Sequence, residues 1–271
     1  MHLILTGATG LVGSSVLDAM LKTKEITKIS ILSRRPVPLA ADDPRANVII
    51  HKDFETYEPE LLNKLQGANG VVWALGISQL KVTKEFVYLI CLTLNGTSQT
   101  DYLYLSSEYT TITKDFPLAA VRAFSSLTPG DEPFRFIYIS GGGATLNLGL
   151  TTPFYRRVKG EAEKALSELR TPRFHIESVS PAGVDPLNHD AIKPHIPDPG
   201  AAYHAMGFVL GPLMRTILHP LHSPTEKLGP FLVGMAMGKY DKQLDIGGKG
   251  ITDLNGSRIL DKWAFRRLYR L

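Results

Sequence analysis

Short runs of β-branched and other apolar residues alternate along the chain with longer segments whose apolar positions recur every three to four residues. His2–Thr6, Lys28–Ser33, Asn47–His51, Gly70–Leu75, Phe134–Ser140 and Phe174–Ser180 carry the first pattern and predict strands. Leu11–Lys22, Glu58–Leu65, Phe116–Ser126 and Phe154–Leu169 carry the second and predict the helices between them. This is the alternation of repeated βαβ units. Val71-Val72-Trp73-Ala74-Leu75 is apolar at every position, as a strand covered on both faces must be. The pattern therefore predicts an α/β fold with a doubly wound parallel sheet, helices on both faces, and the ligand at the carboxyl ends of the strands.

The pattern changes after Ser180. Pro181, Pro186, Pro194, Pro197 and Pro199 interrupt regular structure, and helical patterns resume over Ala202–Leu218 and Thr225–Lys239. We expect a single domain over 1–271, with a core over 1–185 and a small helical or irregular extension over 186–271 that walls the substrate side. A segment near 87–113 reads as an insertion, a loop without a core of its own.

Gly7-Ala8-Thr9-Gly10-Leu11-Val12-Gly13 follows the first strand and opens the first helix with G-x-x-G-x-x-G spacing. Glycines there permit a tight turn, close approach of backbone to a pyrophosphate, and helix–strand packing, with the phosphate at the positive helix end. Gly7, Thr9, Gly10, Leu11, Val12 and Gly13 are thus candidate dinucleotide-binding residues. The second strand ends in Arg34-Arg35, where an NAD site would carry an acid on the ribose hydroxyls. Two guanidiniums suit a 2′-phosphate, so NADP(H) is expected over NAD(H); a solvated loop is the plainer role of the same pair. Asp53-Phe54, after the third strand, suits either an adenine contact or a turn acid beside a core aromatic.

The composition restricts the classes of partner. With 44% apolar residues, 21% charged and a net charge of +4, the chain has the make-up of a soluble globular protein and carries no nucleic-acid face. Its one cysteine, Cys91, forms neither an intramolecular disulfide nor a zinc site alone and fits a reducing, cytoplasmic setting. The mitochondrial surface is the alternative location. No apolar run approaches the roughly 20 residues of a membrane span. The basic tail Lys262–Arg270 is expected to be a short helix packing Trp263 and Phe265 on the body, with peripheral contact to an anionic membrane as the other reading. Eight histidines, among them His189, His195, His204, His219 and His222, show no zinc-helix spacing, so no metal is expected.

Tyr155 and Lys159 lie four residues apart in a predicted helix and so share a face, where an ammonium favours the phenolate and helps proton transfer. A surface helix pair has the same spacing.

Thr6–Gly13, Trp73-Ala74-Leu75-Gly76, Tyr138-Ile139-Ser140-Gly141, Tyr155-Arg156-Arg157-Val158-Lys159 and Pro181-Ala182-Gly183 resemble, in order, the landmarks of the short-chain dehydrogenase/reductase superfamily, a Rossmann fold, in its atypical or extended branch. Val158-Lys159-Gly160-Glu161-Ala162-Glu163 is similar to the Tat-interacting-protein-like group and related fungal NAD(P)-binding proteins. The resemblance covers about residues 1 to 186. It implies that Tyr155, Lys159 and Ser140 are catalytic and that Ala74, Leu75, Gly76, Tyr155, Lys159 and Pro181 contact the cofactor. Where the family often has a second hydroxyl residue after the strand, this chain has Gly141, so Thr145, Thr151 or Thr152 is an alternative to Ser140. The expected activity is NADP(H)-dependent oxidoreduction of a small carbonyl or alcohol of unassigned identity. The alternative is a weak or inactive cofactor-binding regulator, and the oligomeric state is left open.

Overall fold

The computed structural model describes residues 1–77, 106–127, 132–141, 144, 152–198, 200 and 221–271. All the strands expected in the first 180 residues form: β1 (His2–Thr6), β2 (Lys28–Ser33), β3 (Ala46–Ile50), β4 (Gly70–Trp73), β5 (Phe134–Ile139) and β6 (Phe174–Val179). They pair in parallel in the order β3-β2-β1-β4-β5-β6. The connecting helices are α1 (Leu11–Lys22), α2 (Pro59–Leu65), α3 (Phe116–Phe124) and α4 (Phe154–Ser167). The chain reverses its direction across the sheet between β1 and β4, which opens a crevice at their carboxyl ends.

Strand side chains alternate between faces, and here each face has its own core. Leu3, Leu5, Ile29, Ile31, Val72 and Ile137 pack with α1 on one side. Ile4, Leu32, Val71, Trp73 and Phe136 pack with α2, α3 and α4 on the other. The continuous apolar runs of β1 and β4 follow from this, since neither face meets water.

The segment after Ser180 is more regular than its prolines suggest. β7 (Gly183–Asp185) and β8 (His222–Pro224) form a separate two-stranded ladder. They are followed by α5 (Thr225–Ala236), α6 (Asp241–Ile246), β9 (Ile251–Leu254), β10 (Ser257–Leu260) and α7 (Lys262–Tyr269). β10 extends the main sheet parallel to β6, and β9 closes it antiparallel, giving eight strands. α5 lies against α1, with Phe231 beside Phe265 of α7 at a ring separation of 5.0 Å. The region beyond 186 thus completes the sheet and one of the two cores, and is not an appendage to it. Trp263 remains partly exposed beneath Lys249, whose Nζ lies 4.1 Å from its ring. The helix expected over Ala202–Leu218 lies outside the described residues. No helix among the described residues is long and apolar enough to cross a membrane.

Of the expected insertion, residues 106–113 are described, and they correct that reading. Residues 106–110 are helical and lead into a wide turn at Thr111–Asp115, then α3. Tyr109 is 1% exposed, and Ile112 and Thr113 are buried as well. Pro117 explains the wide turn: it lacks an N–H and its ring crowds the carbonyl four residues back, that of Thr113. The Tyr138 hydroxyl takes up that freed carbonyl at 2.8 Å. This end of the segment is core, where the sequence reading expected a loop. Residues 87–105 lie outside the described residues.

Candidate active site

The turn between β1 and α1 is built from close backbone approaches. Gly7 has φ +71°, and a Cβ there would sit 2.3 Å from the Ala74 carbonyl oxygen. A Cβ on Gly13 would sit 2.0 Å from the Gly7 carbonyl oxygen. Neither position admits a side chain without displacing backbone, so α1 starts as near the sheet as it can. Gly10 is the helix N-cap and supplies no side-chain cap. The N–H groups of Leu11, Val12 and Gly13, in the first turn of α1, have no intrahelical carbonyl to bind. Three converging donors, a helix dipole and an open glycine surface suit a pyrophosphate. Ser14 steadies the turn by donating to the carbonyls of Gly10 and Ala8 at 2.7 and 3.1 Å. Thr9 lies half-buried in the turn itself.

The other expected cofactor residues lie around this cradle. Ala74 and Leu75 leave β4 against Gly7, and Gly76 beyond them has open space around its Cα. Arg34 and Arg35 are exposed at the end of β2, in a turn that Ser33 Oγ fixes through the Arg35 carbonyl at 2.7 Å. Asp53 closes a turn and Phe54 joins the core. The Asp53 carboxylate accepts the Glu55 N–H and the Thr56 hydroxyl, both at 2.9 Å. Phe54 is buried edge-on to Trp73, with ring centroids 5.9 Å apart, so its ring is not available to stack on adenine.

α4 carries Tyr155 and Lys159 on successive turns. Tyr155 is half-buried among Ile77, Tyr109, Phe154 and Val158. Ile77 follows Gly76 directly, so the first turn of α4 abuts the β4 side of the crevice between β1 and β4. Lys159 is 8% exposed, and burial pulls its ammonium down to about 8, opposed by the charge of Glu163. Glu163, one turn further along and 5% exposed, is pushed above the usual carboxyl range by burial, opposed by the hydroxyls of Ser140 and Ser180 and by Lys159. Ser180 Oγ lies 3.4 Å from Glu163 Oε1. Ser140, at the end of β5, is 2% exposed; its Oγ is close enough to influence that carboxyl but reaches no partner in hydrogen-bond geometry among the described residues. Pro181 is buried at the end of the adjacent β6. Of the alternative hydroxyls, Thr152 is half-buried just before α4, and Thr145 and Thr151 lie outside the described residues.

Three participants in this cluster escaped the sequence reading. Tyr109 packs on α4, and burial pushes its hydroxyl up to about 12. Tyr138 is driven higher by complete burial, with the Glu163 charge adding to the effect. Glu163 stands four residues after Lys159, on the face that Tyr155 and Lys159 share, and helical spacing alone marks it for attention. Two histidines serve as ties between elements. His189 bridges Asp18 of α1 and Thr225 of α5, each at 3.0 Å, and His222 meets Asp185 at 2.9 Å.

No family model matches the chain. Among curated proteins, it is 41% identical to botcinic acid biosynthesis cluster B protein 16 of Botryotinia fuckeliana over 157 residues, covering 57% of this chain and 98% of that protein. It is 33% identical to leucinostatins biosynthesis cluster protein T of Purpureocillium lilacinum, over 92% of this chain and 89% of the relative. Among solved structures, MoeE5 in complex with UDP-glucose and NAD matches with TM-score 0.59 and 12% identity over 96% of this chain and 75% of that one. A short-chain dehydrogenase/reductase family oxidoreductase from Burkholderia thailandensis matches with TM-score 0.59 and 13% identity over 97% and 92%. At these identities the solved structures speak for the fold, and the two fungal proteins for the family. The chain belongs to the family of these fungal biosynthesis-cluster proteins, and it shares its fold with the short-chain dehydrogenase/reductase structure.

Proposed function

We propose that the protein is an NADP(H)-dependent oxidoreductase that interconverts a small carbonyl compound and its alcohol. The observation that carries the reading is the convergence of a glycine cradle at the β1–α1 turn with the Tyr155–Lys159 pair of α4, through Ile77, at the carboxyl edge of one sheet. MoeE5, which shares the fold, binds NAD, and this supports a nicotinamide cofactor here. Both fungal relatives are biosynthesis-cluster proteins, which supports a substrate that is an intermediate of small-molecule biosynthesis.

When bound, the cofactor supplies or accepts a hydride at the substrate carbon. In reduction, Tyr155 gives its hydroxyl proton to the carbonyl oxygen as that carbon becomes an alcohol carbon. Lys159 stabilises the phenolate left behind and holds the ribose beside it. Ser140 is the hydroxyl on β5 that orients the substrate oxygen. Arg34 and Arg35 bind the 2′-phosphate.

The test is NADPH consumption over a panel of aldehydes, ketones, quinones and enones, followed by Tyr155→Phe on any hit. The substitution keeps the ring and removes the acid, so turnover falls by about 10² to 10⁴ while NADPH affinity stays within about twofold. A hit indifferent to Tyr155→Phe would overturn the mechanism. Tight NADPH binding with no turnover across the panel would favour a cofactor-binding regulator, the reading that Gly141 behind Ser140 supports.

A further inference from the structure

Beneath the Tyr155–Lys159 pair lies Glu163, a buried carboxyl that the mechanism above leaves unused. Burying a lysine is costly unless a counter-charge accompanies it. Among the described residues Glu163 is the one charge that acts on Lys159. The two share α4 at a spacing of one turn, and both are more than nine-tenths buried. The carboxyl is approached by Ser180 from the end of β6 at 3.4 Å and by Ser140 from the end of β5. Tyr138 of β5 also lies within its field, and Tyr109 faces Tyr155 from the preceding helix. An ion pair of this helix, Lys114 to Glu161 at 3.1 Å, lies on its half-exposed side.

We propose that Glu163 is a positioning residue for this site: its carboxylate, held by the Ser180 hydroxyl one turn from Lys159 on the buried side of α4, keeps the Lys159 ammonium charged on the face that carries Tyr155. The role rests on the oxidoreductase reading above. A neutral amine at position 159 would neither acidify Tyr155 nor attract the ribose hydroxyls as strongly, so the charge state of Lys159 sets the working pH range of both. The burial that lowers the ammonium to about 8 makes this support consequential near neutral pH.

The experiment reads Lys159 directly, in protein without cofactor, by carbon NMR of ε-¹³C-lysine across pH, the resonance being assigned by its loss in Lys159→Arg. The wild-type midpoint is expected near 8. Glu163→Gln, which keeps shape and removes charge, should lower it by about one to two pH units. NADPH affinity, followed by fluorescence on the same samples, should then weaken at neutral pH in the variant and recover as the pH is lowered. An unchanged Lys159 midpoint in folded Glu163→Gln protein overturns the proposal. Should that variant not fold, Ser180→Ala makes the same test: loss of its hydroxyl disfavours the carboxylate and lowers the Lys159 midpoint by about half a unit or more. An unchanged midpoint there also overturns it. Failure of the wild type to bind NADPH overturns the cofactor reading instead, and the NMR titration distinguishes the two results.

Discussion

The two ends of the site achieve polarity by different means. At the β1–α1 turn the working groups are backbone: N–H donors of a helix end, exposed because Gly7 and Gly13 have no side chains to stand between them and a ligand. On α4 the working groups are side chains, and their properties come from burial: Lys159 drawn down, Glu163 and Tyr109 pushed up. The first device costs little desolvation, because its charge arrives with the ligand. The second carries ionisable groups in the core and requires each to be matched by a neighbour. A backbone device is therefore intolerant of any added atom. A buried side-chain device is intolerant of any lost charge.

The largest effect expected tests the backbone end. Gly13→Val places a branched side chain where even a Cβ falls 2.0 Å from the Gly7 carbonyl oxygen. With backbone on both sides there is nothing flexible to yield, and the cost should exceed about 4 kcal/mol. A thermal melt should show a fall of about 8 °C or more. Gly10→Ala is the control from the same turn. Its added Cβ would meet the Gly7 oxygen only at 3.4 Å, so stability should stay within about 1 kcal/mol. Equal destabilisation by both would show that packing at this turn does not discriminate among the glycines.

This contrast also decides how much was legible in the sequence. The glycine spacing is a statement about backbone, and it marked the tight turn between β1 and α1. β1 and β4 were legible because each is apolar on both faces, and the cores on either side of the sheet require that. β9 and β10 were missed because Ile251–Leu254 and Ser257–Leu260 are four residues each and only partly covered, so their polarity resembles a loop. Phe54 was ambiguous because an aromatic after a strand suits adenine and core alike; its position against Trp73 settles where the ring lies. Glu163 was visible by spacing alone, since burial, which gives it its character, depends on β5 and β6 arriving from elsewhere in the chain. Residues 106–113 misled for the same reason. Their Ser/Thr-rich surroundings read as a loop, and the burial of Tyr109 comes from α4, some 45 residues later.

That misreading leads to a second, smaller test, on the side-chain end. Tyr109→Ala removes a ring that is 1% exposed and packed on Phe154 at a centroid distance of 6.0 Å. Such truncations cost about 3 to 4 kcal/mol. Tyr109→Phe should cost less than about 1 kcal/mol, because the hydroxyl it removes reaches no partner in hydrogen-bond geometry among the described residues. Chemical denaturation of both variants checks this. If Tyr109→Ala were as mild as Tyr109→Phe, residues 106–113 would contribute no core, and the insertion reading would return for them.

The smallest effect concerns Arg34 and Arg35, which belong to neither device in full. They are side chains, yet exposed, so neither core packing nor a buried counter-charge holds them in place. The turn that presents them is fixed instead through Ser33 and the Arg35 backbone, and their replacement should leave the fold intact. Charge-assisted contacts to a phosphate contribute about 1.5 to 3 kcal/mol each when well formed, less where water competes. The double variant Arg34→Ala/Arg35→Ala should therefore lose at least about tenfold in NADPH affinity and leave NADH nearly unchanged. Because the contacts are exposed, the NADPH advantage of the wild type should also shrink as salt is raised, whereas the Lys159 titration, screened by protein, should hardly move. Fluorescence titration of both cofactors at low and high salt checks both statements. Equal wild-type affinity for NADPH and NADH would remove the arginines from the site while leaving the glycine cradle and the buried cluster of α4 as they stand.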